Sequence, residues 1–212
     1  DGKVARVLKL NTNDAKVAEI FAMAQPDAIW LCSEHCSGSY ESMEHQIRAA
    51  KIYDVDTIVR VSRGSYSDYI RPLEMDAAGL IVPHVMNLAD AINVRDMTKF
   101  APVGKRPVDG GNNDALFTRV EFQDYLETAN RERFALYQIE DPEVMDDIDE
   151  IHFLLLSTDE NGFEVGPNHL VRSTPFNEFE NDLEIIDFDV MAGDSKQLGN
   201  TFDPMWPFHL KP

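Results

Sequence analysis

At 212 residues, with 43% hydrophobic content and only 11 glycines and 11 prolines, the chain can bury one substantial core and has none of the composition of a disordered segment. A formal charge of −19 argues against nucleic acid, which would be repelled in the absence of a basic stripe, and no apolar run approaches the roughly 18 residues of a membrane span. Cys32 and Cys36 cannot build a disulfide framework and the N-terminus carries no signal-peptide h-region, so a single domain over residues 1–212 in the cytoplasm is expected, with an irregular tail from about residue 200.

The elements follow one another with a regular cadence. Ala5 to Leu10 reads as a strand, and Asn11-Thr12-Asn13 offers caps for a helix with apolar positions at Val17, Ile20, Phe21 and Ala24. Ala28 to Leu31 is a second strand, ending in Cys32-Ser33-Glu34-His35-Cys36. A helix over Ser42 to Tyr53 leads to a β-branched strand, Thr57 to Val61, that contains Arg60. A short helix crosses Tyr69 to Met75, Gly79 to Val82 is the fourth strand, and Pro83-His84 closes it. Asn87 caps a helix running towards Thr98.

Strand onsets near residues 5, 28, 57 and 79, each separated by one helix, are the rhythm of βα units on a parallel sheet. Four units in about 95 residues suit a (β/α) barrel, which averages roughly 30 residues per unit. Pro102 to Leu116 interrupts the rhythm. It is rich in turn formers, reads as a functional loop over one barrel face, and its Gly110-Gly111-Asn112 turn could cradle a carboxylate or simply be a turn.

A helix over Val120 to Arg133 then precedes Phe134 to Glu140, a buried strand that ends on a carboxylate, with Pro142 opening a helical pattern through Val144, Met145, Ile148 and Ile151. Ligands bind at that end of parallel sheets, so Glu140 is a candidate for chemistry, or else a cap of the following helix. Beyond Ile151 a strand is expected at Phe153 to Leu156 or at Gly162 to Val165, ended by Gly166-Pro167-Asn168-His169-Leu170, and a last one at Ile185 to Ala192. Seven strands can be counted against the eight of a closed barrel. Arg60 at a strand end calls for an anion or a carboxylate partner, and Cys32, His35 and Cys36 have the residue types of a zinc site without its second cysteine pair.

Taken in order, Ser33-Glu34-His35, Ile58-Val59-Arg60-Val61, Leu80-Ile81-Val82-Pro83, Pro102-Val103-Gly104-Lys105-Arg106, Tyr125-Leu126, Ala129-Asn130 and Gln138-Ile139-Glu140 resemble the HpcH/HpaI family of metal-dependent pyruvate aldolases. The match is close from about Val7 to Ile151. The resemblance implies a (β/α)8 TIM barrel, here with its last two units shortened or incomplete because only 17 residues separate Leu170 from Phe188. It implies a class II lyase that reversibly cleaves a 2-oxo-4-hydroxy acid to pyruvate, or a similar 2-oxo acid, and an aldehyde. A divalent metal (Mg, Mn, Co or Zn) that chelates the 2-oxo acid and homo-oligomers (dimers or hexamers) are implied with it.

Matched position by position, the resemblance makes Glu140 the first metal ligand, Arg60 the support of the enolate oxygen, and His35 the general base with Glu74 as its acidic partner. Gly166 and Pro167 fall in the substrate-binding motif, and His84 follows the fourth strand towards the same pocket. The sequence departs from the family at Cys32, where an aspartate is expected, and at His169, which takes the place of the second carboxylate ligand and would favour manganese, cobalt or zinc over magnesium. No lysine is read at the inner strand ends for a Schiff base. These departures motivate an alternative, a catalytically degenerate barrel that binds a ligand or partner.

Overall fold

The computed structural model describes residues 5–156 and the backbone of 168–172. The chain separates into two compact units, Arg6–Pro175 and a second formed by residues 1–5 with 176–212; the first carries the fold described below. Six strands, β1 (Val7–Leu10), β2 (Ala28–Cys32), β3 (Asp56–Arg60), β4 (Gly79–Val82), β5 (Phe134–Ile139) and β6 (Asn168–Arg172), pair in parallel in the order in which they occur along the chain. Between them run α1 (Ala15–Met23), α2 (Tyr40–Lys51), α3 (Tyr66–Glu74), α4 (Leu88–Thr98), α5 (Phe122–Glu132) and α6 (Ile148–Leu156). Parallel neighbours in unbroken sequential order, joined by crossovers of the usual right hand, place the described helices on one face. That is the winding of a (β/α) barrel, whereas a doubly wound sheet reverses its order midway.

The register sorts the strand residues by face. Ile29, Leu31, Val59, Leu80, Val82, Ala135 and Tyr137 alternate towards the helices and are buried, and the Tyr137 hydroxyl donates to the Ala91 carbonyl of α4 at 3.4 Å. Each valine, leucine or isoleucine among them, withdrawn from water, contributes about 1.5–3 kcal/mol. The opposite face holds a second cluster, Ala28, Ile58 and Ile81 with Val7, Trp30, Phe134 and Leu136 packed against it. Cys32, Arg60 and Gln138 continue that face towards the C-terminal end of the sheet.

Side-chain caps set where the helices begin. Asp14, Ser39 and Asn87 accept N–H groups of the first turns of α1, α2 and α4, and Ser65 with Asp68 forms a capping box on α3. The cap of α1 is thus Asp14, one residue beyond the expected Asn11-Thr12-Asn13. The far ends of the crossovers are pinned together by Asp76, which pairs with Lys51 at the end of α2 and with Arg133 just past α5. Helix C-termini and strand N-termini therefore share one end of the sheet, and the strand C-termini form the other.

Three expectations change. Phe153 to Leu156 is the last turn of α6 rather than a strand; three consecutive leucines without a β-branched residue are good helix formers. The sixth strand lies at Asn168–Arg172, where a turn was expected, while 157–167 and 173–212, with the strands read at Gly162–Val165 and Ile185–Ala192 and the tail from 200, lie outside the described residues. The loop after α4 also differs from its expectation. It follows a helix C-terminus, so it starts at the end of the sheet opposite Glu140, and it runs along the outer helical layer, where Asn113 donates to Glu44 of α2 at 3.0 Å. Arg106 and Asp114 form a buried ion pair there at 2.8 Å, joined by the Tyr125 hydroxyl at 2.7 Å.

Candidate active site

The C-terminal end of β3 carries the best-defined charge of the sheet. Arg60 is 8% exposed; its Nε lies 2.9 Å from Glu34 Oε2, and Nε and Nη2 both stand 3.3 Å from the Cys32 thiol, its register partner on β2. Burying a guanidinium without an anion costs several kcal/mol, and Glu34 supplies the counter-ion that offsets this cost inside the sheet. Ser33 fixes the approach of that loop, since its N–H and hydroxyl donate to the Arg60 carbonyl at 2.8 and 3.0 Å. Glu34 also reaches the mostly exposed His35, whose Nε2 lies 3.4 Å from the same carboxylate oxygen.

This gives a relay of three residues, His35, Glu34 and Arg60, in which the sequence reading had singled out only the outer two. The acidic partner expected for His35 was Glu74. The structure puts Glu74 in the last turn of α3, two residues before the Asp76 clamp and so at the opposite end of the sheet. Its surroundings there are burial, Arg106 and Asp114, and burial raises its pKa above the ordinary carboxylate value. Glu34, adjacent in sequence to His35, holds the place expected of Glu74.

Glu140 follows the end of β5 and continues the face of Leu136 and Gln138. Its Oε1 accepts the backbone N–H of His84 at 3.1 Å, which ties the ends of β4 and β5 together. The exposed His84 holds a left-handed backbone, φ 49°, a conformation that costs a non-glycine residue about 1–2 kcal/mol and is typical of functional sites. His84 thus stands at the same end as Glu140, as expected, with its backbone making the contact. Gln138 was not singled out from the sequence. It is 3% exposed, yet its Oε1 has no hydrogen-bond donor, an omission that usually costs 1–3 kcal/mol.

The backbone of His169 pairs with Leu136, the register level that Arg60 reaches through Ile81, so by register it lies level with Arg60 and four residues before Glu140 along β5. Gly166 and Pro167 lie outside the described residues. Among the described residues no three His, Cys, Asp or Glu side chains gather as a metal cluster, which includes the Cys32, His35 and Cys36 combination. The donors present are both oxygens, the Glu140 carboxylate and the orphaned Gln138 amide. That set suits a hard divalent cation that keeps water or substrate in the rest of its shell. One further residue was overlooked: Lys9 is in register with Trp30 and so lies on the inner face.

Comparison with known proteins bears on this arrangement. A family model described as HpcH/HpaI aldolase/citrate lyase matches residues 6–186. A 2-keto-3-deoxy-L-rhamnonate aldolase of Klebsiella pneumoniae is 30% identical over 145 residues, 68% of this chain and 54% of that protein. The protein of the same name in Escherichia coli K12 is 28% identical over 151 residues, 71% of this chain and 56% of its own length. The chain thus spans little more than half the length of these relatives. Among solved structures, citrate synthase SbnG superposes with a TM-score of 0.66 at 26% identity, over 81% of this chain and 62% of that one. A Burkholderia cenocepacia protein described as an HpcH/HpaI aldolase/citrate lyase family member superposes with a TM-score of 0.65 at 26% identity, over 71% and 60%.

Proposed function

Because the chain belongs to the HpcH/HpaI aldolase/citrate lyase family, we propose that it carries the active site of a class II aldolase. The reaction is reversible cleavage of a 2-oxo-4-hydroxy acid to pyruvate, or a related 2-oxo acid, and an aldehyde. The observation that supports this most is the buried Arg60 guanidinium, held by Glu34 at the ligand-binding end of the sheet and on the face that Glu140 continues. When the carbon–carbon bond breaks, negative charge grows on the ketone oxygen of the 2-oxo acid. A fixed guanidinium favours that transition state over the neutral ground state.

Glu140, with the Gln138 amide oxygen, is the place for a divalent cation, and a bound cation supplies Lewis acidity towards the 2-oxo acid. Two oxygen donors favour magnesium or manganese over the zinc or cobalt that His169 would have suggested. His35 takes the proton from the 4-hydroxyl, directly or through water, and Glu34 orients its imidazole. Partners are small molecules, with self-association into dimers or hexamers, in the cytoplasm. Among the described residues, no helix is long and apolar enough to cross a membrane.

The test is to incubate the protein with pyruvate, a short hydroxyaldehyde and Mg²⁺ or Mn²⁺ and to follow the aldol product by chromatography. Product that disappears on Glu140→Ala supports the assignment; a folded protein that gives none with any divalent cation refutes it. A second reading, a barrel that binds without turnover, draws on the Cys32 thiol against Arg60 and on the register of His169. It predicts no divalent-ion affinity in a calorimetric titration, where the aldolase reading predicts micromolar binding lost on Glu140→Ala.

A further inference from the structure

Both cysteines of the chain lie where β2 passes into the loop before α2, and the proposed reaction gives neither a step. Cys32 ends β2 and is buried, and its Sγ accepts hydrogens from Nε and Nη2 of Arg60 at 3.3 Å each. Cys36 is half-buried. The backbone bends at every residue from Ser33 to Cys36, so the chain turns back and carries the second thiol towards the first. Burial, and after it the neighbouring Cys32 thiol, push the Cys36 thiol above its ordinary value; the two sulfurs are neighbours. A disulfide asks for Cα atoms no more than roughly 7 Å apart, a span that so short a reversal meets.

The two ends of this loop are held unequally. Ser33 is fastened to the β3 side twice over, since its N–H and hydroxyl donate to the Arg60 carbonyl and its own carbonyl accepts the Ser62 hydroxyl at 2.8 Å. Cys36 is held loosely: its Sγ stands 4.0 Å from Asn11 Oδ1, and Ser37, Gly38 and Ser39 beyond it are exposed. A bond between the sulfurs therefore moves Cys36 more than β2. Glu34, the counter-ion of Arg60 at 2.9 Å, and His35 lie inside the ring that such a bond closes.

We propose that hydrogen peroxide converts Cys32 and Cys36 to a reversible disulfide, which turns the Cys32 sulfur away from Arg60, displaces Glu34 and His35, and so switches the site off. The more accessible Cys36 reacts first: its thiolate attacks the O–O bond, giving a sulfenic acid and releasing water. Cys32 then attacks the Cys36 sulfur. The S–S bond forms, the S–O bond breaks, and the departing hydroxide leaves with the Cys32 proton as a second water. Two thiols lose two electrons to one peroxide, and a dithiol reductant reverses the change. The raised Cys36 thiol slows the first step at neutral pH, so the modification answers sustained peroxide and not a brief pulse. Transient bonds of this kind are the ones that reducing compartments contain. The effect on turnover rests on the aldolase reading; the disulfide itself does not.

The bond is read by mass. The chain has 2 cysteines, and both fall on the tryptic peptide Val17 to Arg48, whose only basic cleavage point is its last residue. After sustained peroxide that peptide should be lighter by two hydrogens and resist alkylation, and dithiothreitol should restore both thiols. In the proton–nitrogen correlation spectrum of the folded protein, the Arg60 Nε–H resonance, identified by its loss in Arg60→Lys, should move on oxidation of the parent and stay in place in peroxide-treated Cys36→Ser. Aldol product should fall by about tenfold or more in the oxidised parent, recover with dithiothreitol, and be insensitive to peroxide in Cys36→Ser. Sulfinic acid on Cys36, a bond between two chains, a disulfide that leaves the Arg60 resonance in place, or oxidised protein that keeps its full turnover overturns the proposal. A disulfide that moves the resonance, in a protein whose reduced form gives no aldol product, refutes the aldolase reading alone and supports the rearrangement at Arg60.

Discussion

Arg60 owes its position to a fork that only a guanidinium provides: one edge lies along the Cys32 thiol and Nε faces Glu34. A lysine retains the charge and loses the fork. Arg60→Lys should therefore lower kcat by about 10²–10³, the range for removing one donor at a developing oxyanion, with a smaller change in KM. Glu34→Gln leaves the guanidinium without its counter-ion. Because the pair is partly hydrated, the expected loss is about 1–3 kcal/mol in urea denaturation rather than the full penalty of a dry pair. An unaltered midpoint would mean that Glu34 does not hold Arg60. At this scale the sequence disclosed residues whose type is unusual for their place, Arg60 and Glu140 at strand ends. It did not disclose Glu34 or Gln138, because an acid in a polar loop and a glutamine in a strand look ordinary until the ion pair and the missing donor are seen. It misassigned Glu74 because spacing along the chain cannot say at which end of the sheet a helix terminus falls.

Among the elements, the joint between α4 and α5 is the most tightly specified. Lys99, 1% exposed, donates through Nζ to the carbonyls of Asn130 and Arg133 at 2.7 and 2.6 Å, and Asn130 clasps the backbone of Phe100 in both directions. These bonds satisfy carbonyls that the end of α5 would otherwise leave unpaired. Burial, with Arg106 nearby, lowers the Lys99 pKa to about 8 from an ordinary 10.5. Between those values the unfolded chain carries a proton that the folded chain has lost. Stability attributable to this residue therefore rises with pH from about 8 to 10.5 and carries its full penalty below 8. Measured against Lys99→Met in urea titrations, the parent should gain on the order of 1–3 kcal/mol between neutral and strongly alkaline pH; no relative gain would refute the assignment. Gly104 closes the same joint. An added Cβ would collide with the Lys99 carbonyl and sit 2.9 Å from that of Arg95, so Gly104→Ala should destabilise by about 1–3 kcal/mol, read as a lower thermal midpoint. Local pattern was enough to locate five strands and five helices within a few residues, since periodicity and caps act over one or two turns. It failed at Phe153 to Leu156, where a short apolar run has no period to distinguish strand from helix.

At the scale of the molecule, the sequential parallel order of six strands sets Arg60 at the end of β3 and Glu140 just past β5, far apart in the chain, at the C-terminal end of one sheet. The order was readable from the cadence of βα units because right-handed crossovers leave a barrel-like winding few alternatives. The place of His169 was less readable, since it depends on the register of β6, and no local signal fixes it. The strong negative charge disfavours anions over most of the surface, so the buried Arg60 marks the mouth by contrast with the rest of it. The central claim is that Glu140 and Arg60 serve one 2-oxo acid at that mouth, and it can be tested without knowing the aldehyde. With Mg²⁺ or Mn²⁺ in heavy water, the protein should exchange the methyl protons of pyruvate for deuterium, followed as loss of the methyl proton resonance after the ion is removed. Exchange abolished by Glu140→Ala and slowed at least a hundredfold by Arg60→Lys is the predicted result; exchange no faster than in buffer, from folded protein with either cation, would contradict it.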